Sequence, residues 1–318
     1  MKFENPSSRK KGNNENKEDK EKHEAAMPRR DFLRFVLGGI AAGAVIQGGK
    51  KEGIAEATDI KTETYHEGIQ RLRREAWSIP REQVYIYKRK RNNVEYWEKL
   101  DQGNATSGFI PSESLEDANK DDIERIEAFH THTLSFMYPD FGDRDKARSG
   151  ELPVLLMPPS FIDITGAIGL ISEMPKKAAA KVGFKAADPG GVWEYLSDPA
   201  SSFSQKIIQI QKEVFSIAQG DHQEAKEFMK KYNLLGEDTR LIFKQMVEKK
   251  NELSKPLRAV IEKMFSSQKE LIGDDNIKQI IMIENSARGF RHDDPKLREL
   301  IQRYRTIGVT LTFTPCED

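Results

Sequence analysis

The sequence predicts an α+β fold with a block of helices inserted before the last strand. Three observations predict it. Between residues 82 and 132, β-branched and aromatic residues alternate in short runs bounded by turn residues, which is the period of strands. From Ser201 to Leu271 the chain changes to Lys, Glu, Gln, Ile, Phe and Met at helical spacing, broken at Gly220, Gly236 and Pro256. Near the end, Val309-Thr310-Leu311-Thr312-Phe313 alternates again and reads as a closing strand. No internal repeat is visible.

Residues 1–28 are polar and rich in Lys, Glu and Asn, so they bury too little apolar surface to offset the entropy of ordering. Arg29-Arg30-Asp31-Phe32-Leu33-Arg34 follows, then the apolar, Gly- and Ala-rich stretch Phe35 to Ile46, then Ala55-Glu56-Ala57. A charged region, a short apolar region and a small-x-small exit form the layout of an export signal. The order of parts resembles a twin-arginine (Tat) signal, whose route carries folded proteins. The expected arrangement is a disordered region plus signal over 1–57, cleavage after Ala57, and an exported domain. An uncleaved signal anchor is the variant of this reading, and a chance Arg pair before a small helix is its rival. No run of 18 apolar residues suggests an ordinary transmembrane helix, so contact with a membrane is expected only through an uncleaved signal.

Beyond the signal, Ile60, Tyr65, Ile69, Leu72 and Ala76 recur at three- to five-residue steps, predicting a helix over 60–77 that Pro80 stops. Glu82 opens a strand through Val84-Tyr85-Ile86-Tyr87; Asn92-Asn93 turns the chain and Val94 to Trp97 returns. Gly103 to Ser114 reads as loop. Ile123 to Phe129 forms a strand ending at His130-Thr131-His132, and a connection rich in Pro, Gly and Asp spans Thr133 to Pro153. After Val154 to Met157 comes Pro158-Pro159-Ser160-Phe161-Ile162-Asp163, then an apolar helix from Ile164 to Met174. Val182 to Tyr195 reads as a turn, Asp188-Pro189-Gly190-Gly191, followed by a strand, with Trp193 and Tyr195 in the core. The block at 201–275 holds three or four amphipathic helices with solvated charged faces. Residues Ile277 to Ile283 suggest a strand, and Pro295 to Ile307 a helix with proline in its first turn.

The 318 residues carry 51 Lys plus Arg against 51 Asp plus Glu, and this balance disfavours a basic nucleic-acid binder. The single cysteine, Cys316, forbids an intramolecular disulfide and any Cys-based zinc site. Chemistry gathers instead at the histidines. Strand side chains repeat every two residues, so His130 and His132 share one face and can chelate a cation together. A catalytic zinc wants a third protein ligand and an open position. Asp163 is the natural candidate, placed in the first turn of a helix that Ser160 can cap. Glu82 can act as general base. Rivals for the third ligand are Asp140, Asp143 and Asp145 in the long connection; rivals for the base are Glu75 and Glu95. Ser160 as a plain helix cap is the bland reading of that residue, and His66, His222 and His292 stand isolated.

A Glu on an early strand, then H-x-H, then S-x-x-D opening a helix resembles the JAMM (MPN+) zinc metalloprotease family. The match runs through Glu82, His130-Thr131-His132 and Pro159-Ser160-Phe161-Ile162-Asp163. It implies a mixed sheet flanked by helices, with the layering of cytidine deaminases, a core at 58–200 and a closing helix and strand at 276–318. It further implies Zn2+ on His130, His132 and Asp163, Glu82 moving the proton, Ser160 stabilising an oxyanion, and a peptide or protein substrate. The chain departs from the family in the length of 133–159 and in Thr133 where proline is frequent. A catalytically inactive binding or assembly module is the alternative on the same fold. Phe129 to Thr133 also resembles the first motif of PHP-type metallophosphoesterases, but that site needs further downstream histidines, and only His222 and His292 follow.

Overall fold

The structure is a computed structural model and describes residues 57–100, 110, 112–218, 231 and 247–315. The twin-arginine segment, most of 219–246 and Cys316 lie outside the described residues, as does His222.

Strand β1 (Ala57–Lys61) is followed by α1 (Tyr65–Ser78), β2 (Val84–Lys90) and β3 (Glu95–Leu100). Then come a 3-10 turn over Ser112–Asn119, β4 (Ile123–Thr131), α2 (Leu134–Met137), α3 (Phe141–Arg148), α4 (Phe161–Ser172) and α5 (Lys176–Ala179). Next are β5 (Val182–Asp188), β6 (Gly191–Ser197), α6 (Ser202–Ala218), α7 (Lys255–Ile272), α8 (Asp275–Ser286), α9 (Pro295–Thr306) and β7 (Val309–Pro315). The described strands form one seven-stranded sheet in the order β1-β3-β2-β4-β5-β6-β7. All neighbours run antiparallel except β4 and β5, so the α+β class and the mixed sheet are both present.

Alternation along the strands makes two apolar faces. Val84, Ile86, Ile126, Ala128, Phe184, Ala186, Trp193 and Tyr195 face one side, and α4, α6, α7, α8 and α9 all sink side chains into that larger core. Tyr85, Tyr87, Trp97, Phe129 and Val192 face the other side, covered by Ile69 and Leu72 of α1. Helices on both sides seal the middle strands, which suits a parallel pair at the centre. The block predicted at 201–275 contributes α6 and α7, whose Phe203, Ile207, Ile210, Val260 and Ile261 belong to the same core as the sheet.

Several expectations change in detail. The helix predicted over 60–77 is split. Residues 57–61 pair with β3, and α1 starts later because Thr64 and Glu67 form a capping box: Thr64 N–H donates to Glu67 Oε2 at 2.8 Å and Glu67 N–H to Thr64 Oγ1 at 3.3 Å. Ile277 to Ile283 is helix, not strand. Asp274 accepts from the N–H groups of Asn276 and Ile277, and Ile277, Ile280 and Ile283 then fall on one buried stripe at i, i+3 spacing. Here the cap and the spacing outweigh the β preference of isoleucine. The stretch Val182 to Tyr195 is a two-strand hairpin, because the Asp188 carboxylate takes the Gly190 and Gly191 N–H groups, both at 2.9 Å, and turns the chain. Residues 133–159 are not plain loop either: α2 and α3 lie within them, and Leu156 bridges to Phe290.

Candidate metal centre

The site forms at the end of β4, where that strand leaves the sheet between β2 and β5. Thr131 N–H donates to the Gln83 carbonyl at 3.0 Å, Gln83 N–H returns to Thr131 Oγ1 at 2.9 Å, and His132 N–H donates to the Ala187 carbonyl at 2.8 Å. The backbone of His130-Thr131-His132 is thus held from both sides. Thr131 turns away, and the two imidazoles point together into the larger core, with Nε2 atoms 2.9 Å apart. Both are almost wholly buried.

His132 has its tautomer set by a neighbour. Its Nδ1 lies 2.6 Å from the Met157 carbonyl oxygen, which can only accept. Nδ1 therefore carries the proton and Nε2 presents a bare lone pair to the site. Burial, and the His130 imidazole after it, hold the His132 pKa down at about 4, against the pull of Asp163 and the Met157 carbonyl. A neutral imidazole with a free Nε2 is the form in which histidine binds a cation.

Asp163 arrives from the other side of the crossover. Ser160 caps α4, and Asp163 Oδ2 accepts both the Ser160 N–H and the Ser160 hydroxyl at 2.7 Å, while Asp163 N–H donates to Ser160 Oγ at 3.3 Å. The same Oδ2 is 3.7 Å from His130 Nε2. Burial opposes its charge, but the His130 and His132 imidazoles and the two bonds from Ser160 outweigh burial and hold the carboxyl below its usual range. One ligand atom from each of His130, His132 and Asp163 lies within 4.8 Å of the other two, and this is the one group of three or more such residues among the described ones. The bare His132 Nε2 is within hydrogen-bond distance of His130 Nε2, with the Asp163 carboxylate beside them; a shared proton satisfies these atoms when no metal is bound, and with that proton removed the three could hold a metal ion.

The remaining sequence candidates fall into place around this group. Glu82 precedes β2 instead of opening it. Val84 stands opposite His130, so continuing that register by two residues sets Glu82 level with His132. Tyr195, whose ring centroid is 6.3 Å from that of His130, feels burial first and then the charges of Asp163 and Glu82, which together keep its phenol protonated. The charges of Glu82 and Asp163 thus both act on one tyrosine. Glu75 and Glu95 are engaged under α1, the first accepting the Tyr85 hydroxyl at 2.6 Å, the second the Tyr65 N–H at 2.7 Å. Asp143 and Asp145 pair with Lys146 and Arg148 on the exposed face of α3, and Asp140 sits at that helix's N-cap position. None of these three joins the imidazoles. His66 is exposed, and His292 lies against Phe313.

Sequence reasoning missed Met157 and Asp188. Asp188 is fully buried and accepts four donors: Met157 N–H at 3.2 Å, Trp193 Nε1–H at 3.0 Å, and the Gly190 and Gly191 N–H groups. It holds the backbone of Met157, the residue whose carbonyl orients His132. Burial pushes its carboxyl up to about 6 in spite of those donors. Asp188→Asn exchanges an acceptor oxygen for an NH2 group facing N–H donors, and should cost about 2–4 kcal/mol, one or two unsatisfied buried groups. Urea unfolding of the metal-free chain measures this, and an unchanged midpoint would show that the donors find other partners. The available signal was the Asp-Pro-Gly-Gly turn itself, in which a carboxylate bonds the backbone two and three residues on.

Comparison with known proteins finds no matching family model, no matching curated protein and no matching solved structure.

Proposed function

We propose that the chain is a zinc-dependent hydrolase of amide bonds, in peptides or isopeptides, built on the plan of the JAMM metalloproteases. The observation that carries the proposal is the buried convergence of His130, His132 and Asp163, with the His132 tautomer already set by Met157. The donor set suits zinc. Arms of about 2.0–2.2 Å in a tetrahedron place ligand atoms about 3.3–3.6 Å apart. The observed separations, 2.9 Å between the imidazoles and 3.7 Å from His130 to Asp163, bracket that edge. Two histidines and one carboxylate leave a fourth position open, as catalytic zinc requires. Among the described residues no further histidine approaches, which favours a single ion over the polynuclear centre of the metallophosphoesterase reading.

Zinc held there would supply Lewis acidity to a scissile carbonyl. The chain's own groups do the rest. Glu82, level with His132 at the edge of the site, takes a proton from the attacking water and returns it to the leaving amine. Ser160 holds Asp163 through its N–H and hydroxyl. To stabilise an oxyanion its hydroxyl must rotate off Oδ2, leaving Asp163 to the Ser160 N–H. Tyr195, kept protonated, is a second donor beside His130.

Zinc binding to the folded chain alone should raise the melting temperature. At a free concentration about 1,000-fold above Kd the stabilisation is about 4 kcal/mol, or roughly 8–16 °C for a chain of this size. A chelator should reverse it. A metal-free preparation whose melting curve ignores added zinc would end the metalloenzyme reading.

A further inference from the structure

Asp163 is useful as a ligand only while its carboxylate faces the imidazoles, and it sits in the first turn of α4, where free N–H groups compete for it. Two such groups are settled locally, Ser160 N–H on Asp163 Oδ2 and Asp163 N–H on Ser160 Oγ. The next, Phe161 N–H, is settled from far along the chain. It donates to Glu284 of α8, with Oε1 at 3.0 Å and Oε2 at 3.3 Å. Glu284 Oε1 in turn receives a short bond from the hydroxyl of Tyr304, a fully buried residue of α9.

We infer that Glu284 and Tyr304 are positioning residues of the metal centre, holding the first turn of α4 so that Asp163 stays turned towards His130 and His132. The inference rests on the metal-centre reading above. Phe161 is a buried residue, and its N–H is held by the Glu284 carboxylate. Ser160 Oγ and the Asp163 carboxylate already serve the same helix turn, so a change in what holds the Phe161 N–H shifts the turn that carries Asp163. A carboxylate is also the acceptor that the positive end of a helix favours. Tyr304 limits the rotamers of Glu284. A phenylalanine would fill the same space in the core, so the hydroxyl adds nothing to packing; what it adds is the aim of the carboxylate. Glu284 and Tyr304 lie 121 and 141 residues beyond Asp163 in the chain, outside the Glu82, H-x-H and S-x-x-D motifs, and neither is a ligand.

The test uses the full-length chain with zinc and, in parallel, with cobalt(II), whose visible spectrum reports ligand geometry. Tyr304→Phe, which keeps the ring, should weaken zinc binding about tenfold, and Glu284→Gln about 10–100-fold, the usual effect of losing a partner behind a ligand. Both should change the cobalt spectrum. Ile277→Val thins the packing of α8 about two turns before Glu284; it should lower the melting temperature and leave zinc affinity and spectrum unchanged. Wild-type zinc affinity and spectrum in both Tyr304→Phe and Glu284→Gln, whatever their melting temperatures, would overturn the inference and leave the metal centre standing. If the wild-type chain binds neither ion, the metal-centre reading falls and this inference falls with it.

Discussion

Glu82→Gln should leave zinc binding intact and lower amide hydrolysis by roughly 10²–10⁴, the usual contribution of a general base. The two halves of this result come from different parts of the geometry. The group that could hold a metal ion consists of His130, His132 and Asp163 and does not include Glu82, so on the proposed reading the neutral amide removes no ligand. Glu82 is nevertheless level with His132 by the β2–β4 register, and its charge, like that of Asp163, is felt by Tyr195. Gln keeps the size and an acceptor oxygen but cannot take a proton. The measurement is initial rate on whichever quenched-fluorescent peptide of a mixed pool the wild-type chain cleaves, together with zinc content after dialysis. A variant that loses its zinc would make Glu82 a ligand. A variant with wild-type rates would move the base elsewhere. Wild-type chain that binds zinc but cleaves nothing in the pool would favour the binding or assembly module.

His132→Ala should abolish tight zinc binding. His130 and Asp163 would remain, and a two-ligand site does not hold the ion against water. The loss should exceed the roughly 10–100-fold expected for outer partners such as Glu284. His132 also has a structural role, since its Nδ1–H serves the Met157 carbonyl in a buried setting. Alanine leaves that carbonyl without its donor and should cost the metal-free fold about 1–3 kcal/mol. Asp163→Asn provides the contrast: it keeps an oxygen and a similar volume, removes the only ligand charge, and should weaken zinc binding with a smaller effect on the metal-free fold. Equilibrium dialysis against a zinc-buffered series separates the two variants. If both bind zinc like the wild type, the cation site lies elsewhere.

The sequence was most legible where a motif coincides with a local rule. H-x-H on a strand end requires only the two-residue repeat, and β4 ends as expected. S-x-x-D at a helix start is itself a capping box, so the residues proposed for the metal site also announced the helix. The strand after Glu82 was legible from the buried Val84 to Tyr87 run, but it opens at Val84, two residues past the expected start. What escaped was non-local. Strand β1 has no signal of its own and exists because β3 offers it an edge. The α8 isoleucines mimic a strand in composition, and only the Asp274 cap and the three-residue spacing reveal the helix. Met157 acts through its backbone, which no side-chain motif encodes. Glu284 reads as one more acid on a charged helix until the fold sets it beside Phe161.

The single parallel step, from β4 to β5, has a temporal consequence. Parallel neighbours need a long crossover, and here it runs from Thr131 to Val182 and includes Met157, Ser160 and Asp163. His132 is held by Ala187 of β5, and α4 leans on Glu284 of α8. As the chain leaves the ribosome, the histidines therefore emerge well before the groups that orient them. Pairing β4 with β5 must wait for the whole crossover, and such distant pairings are slow to form. The aspartate turn locks later still, once α8 and α9 have been synthesised. A nascent or truncated chain would expose its imidazoles without the cage, so capture of a cation would mark a polypeptide that has been completed and folded through to its last helix.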